Sequence, residues 1–407
     1  MIEIKGKYNT AKIFIDTIEQ ETINQITDLL NQEFIDGSRV RIMPDTHAGK
    51  GCTIGTTMTI QDKIVPNLVG VDIGCGMICV ELGNIHLEFS KLDEFIRTNI
   101  PFGYAINQHA QTDFKNSISN LICFRDLPKS AKEFNRALGS LGSGNHFIEL
   151  NVDKNDVKYL VVHSGSRNLG KQVATYYQNK AYDYHNGLNE KYEDEKSKLI
   201  NNYKKQGKRK EIQNALKQLQ KEYIKESEIP KDLCYLKGKL MNDYLHDMKI
   251  VQQYANLNRE LMAKRIIEEC LNLQYEKLSK FQTIHNYIDL ENMILRKGAI
   301  SAKKNEKVII PINMRDGSII ATGKGNEDWN ESAPHGAGRL MSRSKAKQLL
   351  NINEYKESMK DVWTTSVRES TIDEAPMAYK PIEEIVENTK DTINIIDVIR
   401  PLYNFKS

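Results

Sequence analysis

Short runs of apolar and β-branched residues, each bounded by Gly, Asn or Asp, fill most of the first 170 residues. Runs of this length between turn-forming residues are typical of β-strands. The pattern predicts strands over RVRIMPD (39–45), GCTIGTTMTI (51–60), MICVELG (77–83) and KYLVVHSGS (158–166). Between these strands, apolar residues recur at helical spacing and predict helices over 18–33 and 86–100.

In the second half of the chain, residues 236–276 carry apolar and aromatic side chains every three or four positions, which predicts a long helix. Two more strands are predicted over VIIPINM (308–314) and GSIIATGKG (317–325). A glycine-rich loop then opens a helix in HGAGRLMSRSKAKQLL (335–350). The segment PIEEIVENTKDTINIIDVI (381–399) predicts a final helix, followed by a short tail.

Residues 185–233 interrupt this pattern, because they are rich in Lys and Glu and have few apolar positions. We interpret them as a charged helical hairpin that projects from the body. They are either a solvated insertion or a surface whose basic residues contact an RNA or protein partner. The basic residues in question are Lys204, Lys205, Lys208, Arg209 and Lys210. With no internal repeat or linker, the chain predicts an α+β fold with a single domain over 1–407 and the hairpin within it.

Composition adds limits to this picture. The 407 residues are 40% hydrophobic and 27% charged, with a formal net charge of +3. A net charge this small gives no overall field that attracts nucleic acid, so such a partner needs a local basic patch. No apolar segment is long enough for a signal peptide or a membrane span, which leads us to expect a cytoplasmic protein with reduced cysteines.

Glycine-rich turns hold most of the residues that can carry chemistry. Cys75, His146, His163 and His335 each lie among glycines, and His285 lies at the end of an apolar run. Any one of these histidines could be a half-buried residue with a structural role. Together with Asp72, however, they form the donor set that suits Zn²⁺- or Mn²⁺-like ions, and a shared thiolate lets two ions lie close together. Their spacing matches no zinc finger, which favours a catalytic site assembled from distant segments.

Two of these turns also offer backbone suited to anions. SGSRNLGK (164–171) and HGAGR (335–339) each contain several consecutive N–H groups with an arginine close by. Such segments and helix N-termini bind phosphate groups. The chain has no GxxxxGK[ST] sequence, which argues against an ordinary P-loop nucleotide site.

Seven motifs together resemble the RtcB family of RNA ligases. They are MPDTHAGKGCTIG, VGVDIGCGM, GSLGSGNHFIE, HSGSRNLG, HNY, HGAGRLMSR and EAPMAYK. The similarity runs from about residue 40 to the carboxyl end and is interrupted mainly by the charged insertion. The resemblance implies an RtcB-like body with a central metal site. It also implies a GTP- and Mn²⁺-dependent enzyme that joins RNA with a 3′-phosphate or 2′,3′-cyclic phosphate to RNA with a 5′-hydroxyl.

The resemblance also implies a role for each motif residue. His335 would be the nucleophile that becomes a GMP–histidine. Asp72, Cys75, His146, His163 and His285 would bind two Mn²⁺ ions, with the Cys75 thiolate as the bridge. The implied nucleotide contacts are Asn145, His146, Phe147, Ile148, Glu149, His285, Asn286, Pro311, Ile312, Asn313, Met314, Ser318, His335, Gly336, Ala337, Gly338 and Lys406.

This sequence departs from the family pattern at three places. PINMRDGS (311–318) stands where typical members have PGSMG, Pro334 replaces the usual Ser before the implied nucleophile, and the sequence ends in Lys-Ser where Lys-Gly is common. The proline removes a hydroxyl and a backbone N–H. Because the implied metal ligands and nucleophile are all present, we expect an active enzyme, and altered nucleotide affinity or substrate preference stays open.

RNA ends, from tRNA halves or cleaved RNA, are the partner that the resemblance implies, in tRNA splicing or RNA repair. The basic residues nearest the motifs are Lys50, Arg167, Lys171, Arg339 and Arg343. An archease-type activator, as assists some relatives, is a further partner it suggests, and we expect a monomer. Two other functions stay open: a metal-dependent phosphoesterase that opens cyclic phosphate ends without joining them, and a non-catalytic RNA-binding protein.

Overall fold

The structure of the protein is a computed structural model that describes residues 1–49 and 51–406. Its strands are β1 (Ile2–Lys5), β2 (Thr10–Ile13), β3 (Val40–His47), β4 (Ile54–Thr59), β5 (Lys63–Ile64), β6 (Gly76–Gly83), β7 (Phe147–Val152), β8 (Lys158–Ser164), β9 (Leu236–Lys237), β10 (Lys280–Ile284), β11 (Asn286–Asp289), β12 (Ile294–Lys297), β13 (Ala299–Ser301), β14 (Lys307–Asn313), β15 (Gly317–Gly323), β16 (Ser332–Pro334) and β17 (Ile393–Lys406).

The helices alternate with these strands in a mixed α+β order. They are α1 (Gln20–Leu30), α2 (Phe89–Asn99), α3 (Lys115–Ser119), α4 (Ala131–Arg136), α5 (Arg167–His185), α6 (Glu190–Lys205), α7 (Ile212–Tyr223), α8 (Gly238–Arg265), α9 (Arg343–Leu349), α10 (Ile352–Ser358) and α11 (Ile382–Asn388). A π-helical turn over Ile266–Cys270 continues α8. The predicted α+β class, the strands of the first half and the long helix at 236–276 are confirmed.

Two large sheets organise the described part of the chain. One has the strand order β1–β2–β3–β4–β12–β11, and the other has the order β10–β6–β8–β7–β17–β15–β14. In the second sheet all neighbours are antiparallel. Its two outer strands, β10 and β14, also contact each other, so this sheet curls into a nearly closed barrel.

Helix α8 lies against the barrel sheet, along β6 and β8. Its buried face includes Met262 and Ala263, which join the apolar core between helix and sheet. Two polar residues on the same helix, Asn258 and Arg259, are also fully buried. Because buried polar groups need partners, these two side chains are expected to hold neighbouring backbone, and the site described below depends on them.

The charged insertion forms the predicted helical hairpin. Helices α6 and α7 pack against each other, and the rings of Tyr192 and Tyr223 lie 5.5 Å apart near the open end of the hairpin. Gly207, with φ of +73°, lies in the connection between the two helices.

The predicted final helix over 381–399 is wrong beyond its first part. Helix α11 ends at Asn388, and Ile393 begins β17, which pairs with β15 on one side and β7 on the other. The segment from Ile393 is rich in β-branched residues, which favour strands. Residues 393–399 pair with β15 and residues 400–406 pair with β7, and both partner strands lie far away in sequence. The spacing of apolar residues alone therefore predicted a helix where the chain forms a strand.

Among the described residues, no helix combines the length and the apolar character that crossing a bilayer needs.

The terminal strand should contribute strongly to stability, because the Phe405 side chain is fully buried against Phe102 with ring centroids 5.4 Å apart. We predict that Phe405→Ala lowers the free energy of unfolding by about 3–5 kcal/mol. Ile396→Ala, on an exposed position of the same strand, should change it by less than about 0.5 kcal/mol. Urea denaturation measures both, and similar losses in the two variants would contradict this account of β17.

Candidate active site

The antiparallel register of the barrel sheet brings distant motifs to one edge. Cα partners run across this edge from Ile284 to Gly76 and from Gly76 to Ser164. They continue from His163 to Phe147 and from Phe147 to Lys406. Cys75, His146 and His285 each lie one residue outside these strand ends. Five segments spread along the chain therefore present their side chains side by side.

The predicted metal ligands meet at this edge. The Cys75 Sγ lies 3.5 Å from His146 Nε2 and 3.3 Å from His163 Nε2. At one end of the cluster, Asp72 Oδ2 lies 3.0 Å from His146 Nε2. At the other end, His285 Nε2 lies 3.3 Å from His163 Nε2. The structure thus brings all five residues together, with the thiol in the middle. We call these five ligand-type residues the metal cluster.

The outer nitrogens of two of these imidazoles are fixed by backbone. His146 Nδ1–H donates to the Leu141 carbonyl oxygen at 2.8 Å, and His163 Nδ1–H donates to the Asn145 carbonyl oxygen at 3.2 Å. Because a carbonyl can only accept, Nδ1 carries the proton in the neutral form of each ring, and the inward Nε2 atom then carries the lone pair. This arrangement is typical of metal-ligating histidines. Facing lone pairs this close together are stabilised by a cation between them.

Protonation in the cluster agrees with metal binding. Burial, together with neighbouring histidines, lowers the pKa of His163 and of His285 well below the ordinary value, which keeps these imidazoles neutral. Burial and the nearby Asp72 raise the pKa of the Cys75 thiol well above its ordinary value. Burial alone would raise the pKa of Asp72, but the hydrogen bond and charge of His146 hold it below the ordinary value. The buried Cys–His group can hold a metal ion once the thiol proton is displaced.

Two glycines explain why the motif turns tolerate no side chain. A Cβ at Gly165 would lie 2.2 Å from Asp72 Oδ1, in the metal cluster. A Cβ at Gly338 would lie 2.6 Å from the Asp45 carbonyl oxygen, and the φ of +74° there also favours glycine. These glycines allow backbone to lie directly against the acidic residues of the site.

His335 enters the site from outside the barrel sheet. Strand β16 ends at Pro334, which pairs with Ala299 of β13, and the Ala299 N–H donates to the His285 carbonyl oxygen. The His335 ring centroid consequently lies 4.9 Å from that of His285. On its other side, His335 Nδ1–H donates to Asp45 Oδ2 at 2.6 Å, and the His335 backbone N–H donates to the same oxygen at 3.1 Å.

A cavity opens above His335 and the metal cluster, and we call it the central cavity. The lining that the sequence predicted is Asn145, Phe147, Glu149, His285, Pro311, Ile312, Asn313, Met314, His335, Gly336, Ala337, Gly338 and Lys406. Asp72, Cys75 and His146 are not part of this lining. The metal cluster reaches the cavity through His163 and His285.

Four of the predicted nucleotide contacts lie outside this lining, and His146, which contacts the Cys75 thiol, is the first of them. Ile148 is fully buried in the apolar core, on the opposite face of β7 from Phe147 and Glu149, so its side chain does not face the central cavity. Ser318 is also fully buried outside the lining, and its Oγ has no hydrogen-bond partner among the described residues. Asn286 accepts from the Gly298 N–H at 2.9 Å and thereby orders the loop before β13. These three side chains lie outside the lining of the central cavity, and their contact with a nucleotide stays a prediction from the sequence.

Lys406 is not part of a frayed tail. It is buried, its backbone N–H donates to Ser366 Oγ at 2.8 Å, and its Nζ forms an ion pair with Glu374. Burial raises the pKa of Glu149 to about 8 despite the opposing charge of Lys406. Glu374 shows the reverse, because Lys406 and Arg343 outweigh burial and lower its pKa. One lysine therefore lies in a cavity with one neutral and one ionised carboxyl group.

The departure at 311–318 forms the end of a β-hairpin. A β-bulge lies between Pro311 and Asn313, and the Asn313 Oδ1 accepts from the N–H groups of Arg315 and Asp316 at 2.9 Å each. The Asn313 side chain is thus committed to the turn. Met314 is buried beside Tyr355. The segment lines the central cavity mainly with apolar groups and backbone.

The basic residues near the motifs are placed differently from one another. Arg339 and Arg343 line the central cavity, where Arg343 Nη2 lies 2.9 Å from Glu374 Oε1. Arg167 Nη2–H donates to the Gly103 carbonyl oxygen at 2.7 Å, away from the lining, and Lys171 is exposed on α5. Lys50 lies outside the described residues.

Sequence reasoning missed several residues of the cavity. Asp45 and His47 lie two positions apart on β3, Asp45 holds His335, and His47 lines the central cavity. Both are in the quoted motif MPDTHAGKG, but nothing local indicates a partner 290 residues away. Glu374 and Tyr379, in EAPMAYK, also line the cavity, as does Asn404. For Glu374 and Tyr379 the signal was their presence in a quoted motif, whereas Asn404 lies in none of the quoted motifs.

Three features define the class of this protein: a curled antiparallel sheet, a Cys–His group at its edge that can hold a metal ion, and a carboxylate-held histidine beside that group. The family model described as tRNA-splicing ligase RtcB matches residues 25–128 and 125–407. The chain therefore belongs to the RtcB family, as the motifs predicted.

Relatives from bacteria and archaea match over most of their length. The RNA-splicing ligase RtcB of Escherichia coli (strain K12) is 29% identical, covering 94% of this chain and 93% of the relative. The tRNA-splicing ligase RtcB of Nanoarchaeum equitans is 26% identical, covering 86% and 84%. That of Methanococcus maripaludis is 24% identical, covering 96% and 92%.

The metal cluster makes a sharp prediction about two buried cysteines. Cys75→Ala should abolish high-affinity binding of Mn²⁺ or Co²⁺, whereas Cys79→Ala, a buried cysteine further along β6, should leave it unchanged. Because the Cys75 thiol is protonated and His163 and His285 are neutral, metal binding at neutral pH should release about one proton. Affinity should therefore fall as pH falls. Calorimetry in buffers of different ionisation enthalpy measures both quantities, and equal losses in the two variants would contradict the cluster.

Glu149 predicts a pH dependence of stability in the protein without metal or nucleotide. Its folded pKa of about 8 lies above the unfolded value, so folding favours the protonated carboxyl. This contribution is fully present below about pH 4.3 and is lost as the pH rises through about 8. Glu149→Gln should flatten the decline in unfolding free energy across that window, whereas the exposed Glu94→Gln on α2 should not. Urea denaturation from acidic to alkaline pH tests this, and parallel profiles for all three proteins would refute it.

Proposed function

We propose that this protein is a GTP- and Mn²⁺-dependent RNA ligase. It joins RNA 3′-phosphate or 2′,3′-cyclic phosphate ends to 5′-hydroxyl ends through a GMP–histidine intermediate on His335. Membership of the RtcB family and relatives named as RNA-splicing ligases support this proposal. The single observation that carries it is the position of His335, between the Asp45 carboxylate and the metal cluster.

His335 has the properties of a phosphate-directed nucleophile. Its Nδ1–H is engaged by Asp45, so Nε2 carries the lone pair. Nε2 forms a bond to the α-phosphorus of GTP while the bond to the bridging oxygen breaks and pyrophosphate leaves. The Asp45 carboxylate fixes the tautomer and stabilises the imidazole as it becomes positively charged. Because Asp45 is fully buried, this interaction acts in a water-poor environment.

The central cavity supplies the nucleotide contacts. Phe147 offers a ring face, and Lys406 Nζ lies 5.8 Å from the centroid of that ring. The neutral Glu149 carboxyl can donate a hydrogen bond and the Lys406 ammonium can donate several, which suits the edge of a guanine base. Arg339 and Arg343 provide cationic groups for phosphate oxygens.

The five ligands divide into two sets that share Cys75. Asp72 and His146 lie on one side of the thiol, and His163 and His285 lie on the other. This division fits two Mn²⁺ ions with the Cys75 thiolate as the bridge. Bound there, the ions would supply charge neutralisation and orientation for the reacting phosphate groups.

The RNA steps return His335 to its starting state. An oxygen of the RNA 3′-phosphate attacks the phosphorus held by His335, the N–P bond breaks, and Nε2 regains its lone pair. The 5′-hydroxyl oxygen of the second RNA then attacks the activated 3′-phosphate, its proton is lost to a base, and GMP leaves. A cyclic phosphate end must first be opened by water to the 3′-phosphate.

The physiological setting of the reaction is a further part of the proposal. The RNA ends would come from tRNA halves or from cleaved RNA, in tRNA splicing or RNA repair. An archease-type activator, a monomeric state, a cytoplasmic location and a single domain over 1–407 stay predictions from the sequence.

Covalent labelling tests the proposal directly. Purified protein incubated with Mn²⁺ and α-labelled GTP should carry label after denaturing electrophoresis, and His335→Ala should carry none. Asp45→Asn should slow labelling by about 10²–10⁴-fold, because the carboxylate no longer stabilises the charged imidazole. The exposed Asp16→Asn is the matched control and should label normally.

A wild-type protein that binds metal yet takes no label, while opening 2′,3′-cyclic phosphates, would replace the ligase with the metal-dependent phosphoesterase. If His335→Ala joined RNA at the wild-type rate, the proposed nucleophile would be wrong.

A further inference from the structure

Positive charge in the helical hairpin is concentrated at its far end. Between residues 204 and 210, five of seven residues are basic and none is acidic. We call these five residues, Lys204, Lys205, Lys208, Arg209 and Lys210, the basic tip. The two helical stems below it carry a balanced mixture of Lys and Glu. The overall net charge of +3 therefore conceals a strongly positive point on the surface.

The basic side chains of the tip form no ion pairs within residues 1–49 and 51–406, and all five are exposed. On the α6 stem, by contrast, Lys196 pairs with Glu193 at 2.9 Å and Lys198 pairs with Glu195 at 2.9 Å. Glu211 directly follows these residues, but it forms no ion pair with them in the part of the chain that the structure describes. The five cations therefore repel one another, which costs stability that an anionic partner would recover.

The hairpin holds the basic tip away from the body. Helix α6 has α7 as its main packing partner, and the connection between them packs mainly on these two helices. At its open end the hairpin is joined to the end of α5, because the Lys225 N–H donates to the Asn186 carbonyl oxygen at 2.7 Å. With 16 residues, α6 extends about 24 Å. The basic tip therefore lies at the end of the hairpin opposite its attachment to α5.

The chemistry of the tip favours nucleic acid over protein. Residues 204–210 contain no apolar or aromatic side chain, only Lys, Arg, Gln and Gly. A stable protein interface needs a buried apolar or aromatic centre, which this surface lacks. Recognition of a phosphate backbone needs only Lys and Arg, whose binding releases counterions. Gly207, with φ of +73°, reverses the chain so that basic residues flank the turn on both sides.

We propose that the basic tip binds the phosphate backbone of the RNA substrate at a point remote from the ends being joined. This inference rests on the proposed ligase function. Backbone contacts position RNA without reading its sequence. The hairpin thus strengthens binding of RNA that extends beyond the active site, such as a folded RNA with a strand break. It does not strengthen binding of short RNA fragments with the same chemical ends.

The test compares two variants with equal charge changes. In the tip variant the five residues of the basic tip become Gln. In the stem variant Lys191, Lys196, Lys198, Lys217 and Lys221 become Gln. This variant loses the same total charge, but from the stems of α6 and α7 instead of the tip. Binding is measured with a folded RNA of about 75 nucleotides and with a single strand of about ten nucleotides, near the size one binding surface covers. Both RNAs carry a 3′-phosphate, and GTP labelling is measured alongside.

We expect the tip variant to bind the folded RNA about 10-fold more weakly or worse, with the slope of log Kd against log salt reduced by about 2–4. The stem variant should bind like the wild type. Both variants should bind the short strand and take label from GTP at the wild-type level. Because RNA binding is measured without GTP, a failure of labelling in all three proteins would count against the ligase and leave the tip result intact.

Three results would overturn the proposal. The first is equal weakening by the tip and stem variants, which would indicate a general charge effect. The second is equal weakening for the long and short RNAs. The third is tighter binding of wild-type protein to phosphatidylserine-containing vesicles than to the folded RNA, lost in the tip variant, which would make the tip a membrane-binding surface.

Discussion

One buried pair of polar side chains on α8 fixes the backbone around the site. The Asn258 side chain donates to the Ser140 and Gly165 carbonyl oxygens and accepts from the Gly139 N–H. Next to it, Arg259 Nη1–H donates to the Gly74 and Ser164 carbonyl oxygens at 2.7 and 2.8 Å. Burial lowers the pKa of Arg259 to about 10, so the guanidinium remains charged at neutral pH. These two residues join the three turns that carry Cys75, His146 and His163, and they do so without occupying the ligand positions.

The site combines opposite electrostatic demands within a small volume. The metal cluster is a set of electron-pair donors that favours cations: burial keeps His163 and His285 neutral, and a bound cation would displace the proton of the Cys75 thiol. The cavity beside it is lined by Lys406, Arg339 and Arg343 and favours anions. Asp45 and His335 lie on the boundary between these regions. A phosphate group bridging both regions would satisfy both demands, because His335, the ligand-type residues and the basic residues lie side by side.

The sequence was most informative where chemistry is local. Cys75 and His163 lie on turns whose glycines and donor atoms are visible in a few residues, and the structure brings both together. The contribution of Asp45 was not visible, because its partner His335 is 290 residues away and an aspartate in a strand has no local signature. The same limit explains the error at β17, whose extended form depends on pairing with β7 and β15. The position of Ile148 outside the cavity lining has another cause: in a strand, a residue between two cavity-facing neighbours must face the opposite side.

The position of β17 also sets the order in which the protein can mature. This strand lies between β7 and β15 in the middle of the barrel sheet, yet it follows every other strand of that sheet along the chain. During synthesis the earlier strands leave the ribosome with a gap at the centre of the sheet. The donor cluster can begin to assemble from β6, β7, β8 and β10, but the wall of the central cavity that holds Lys406 cannot. The buried Cys–His group can thus form earlier in the life of each molecule than the complete cavity beside it.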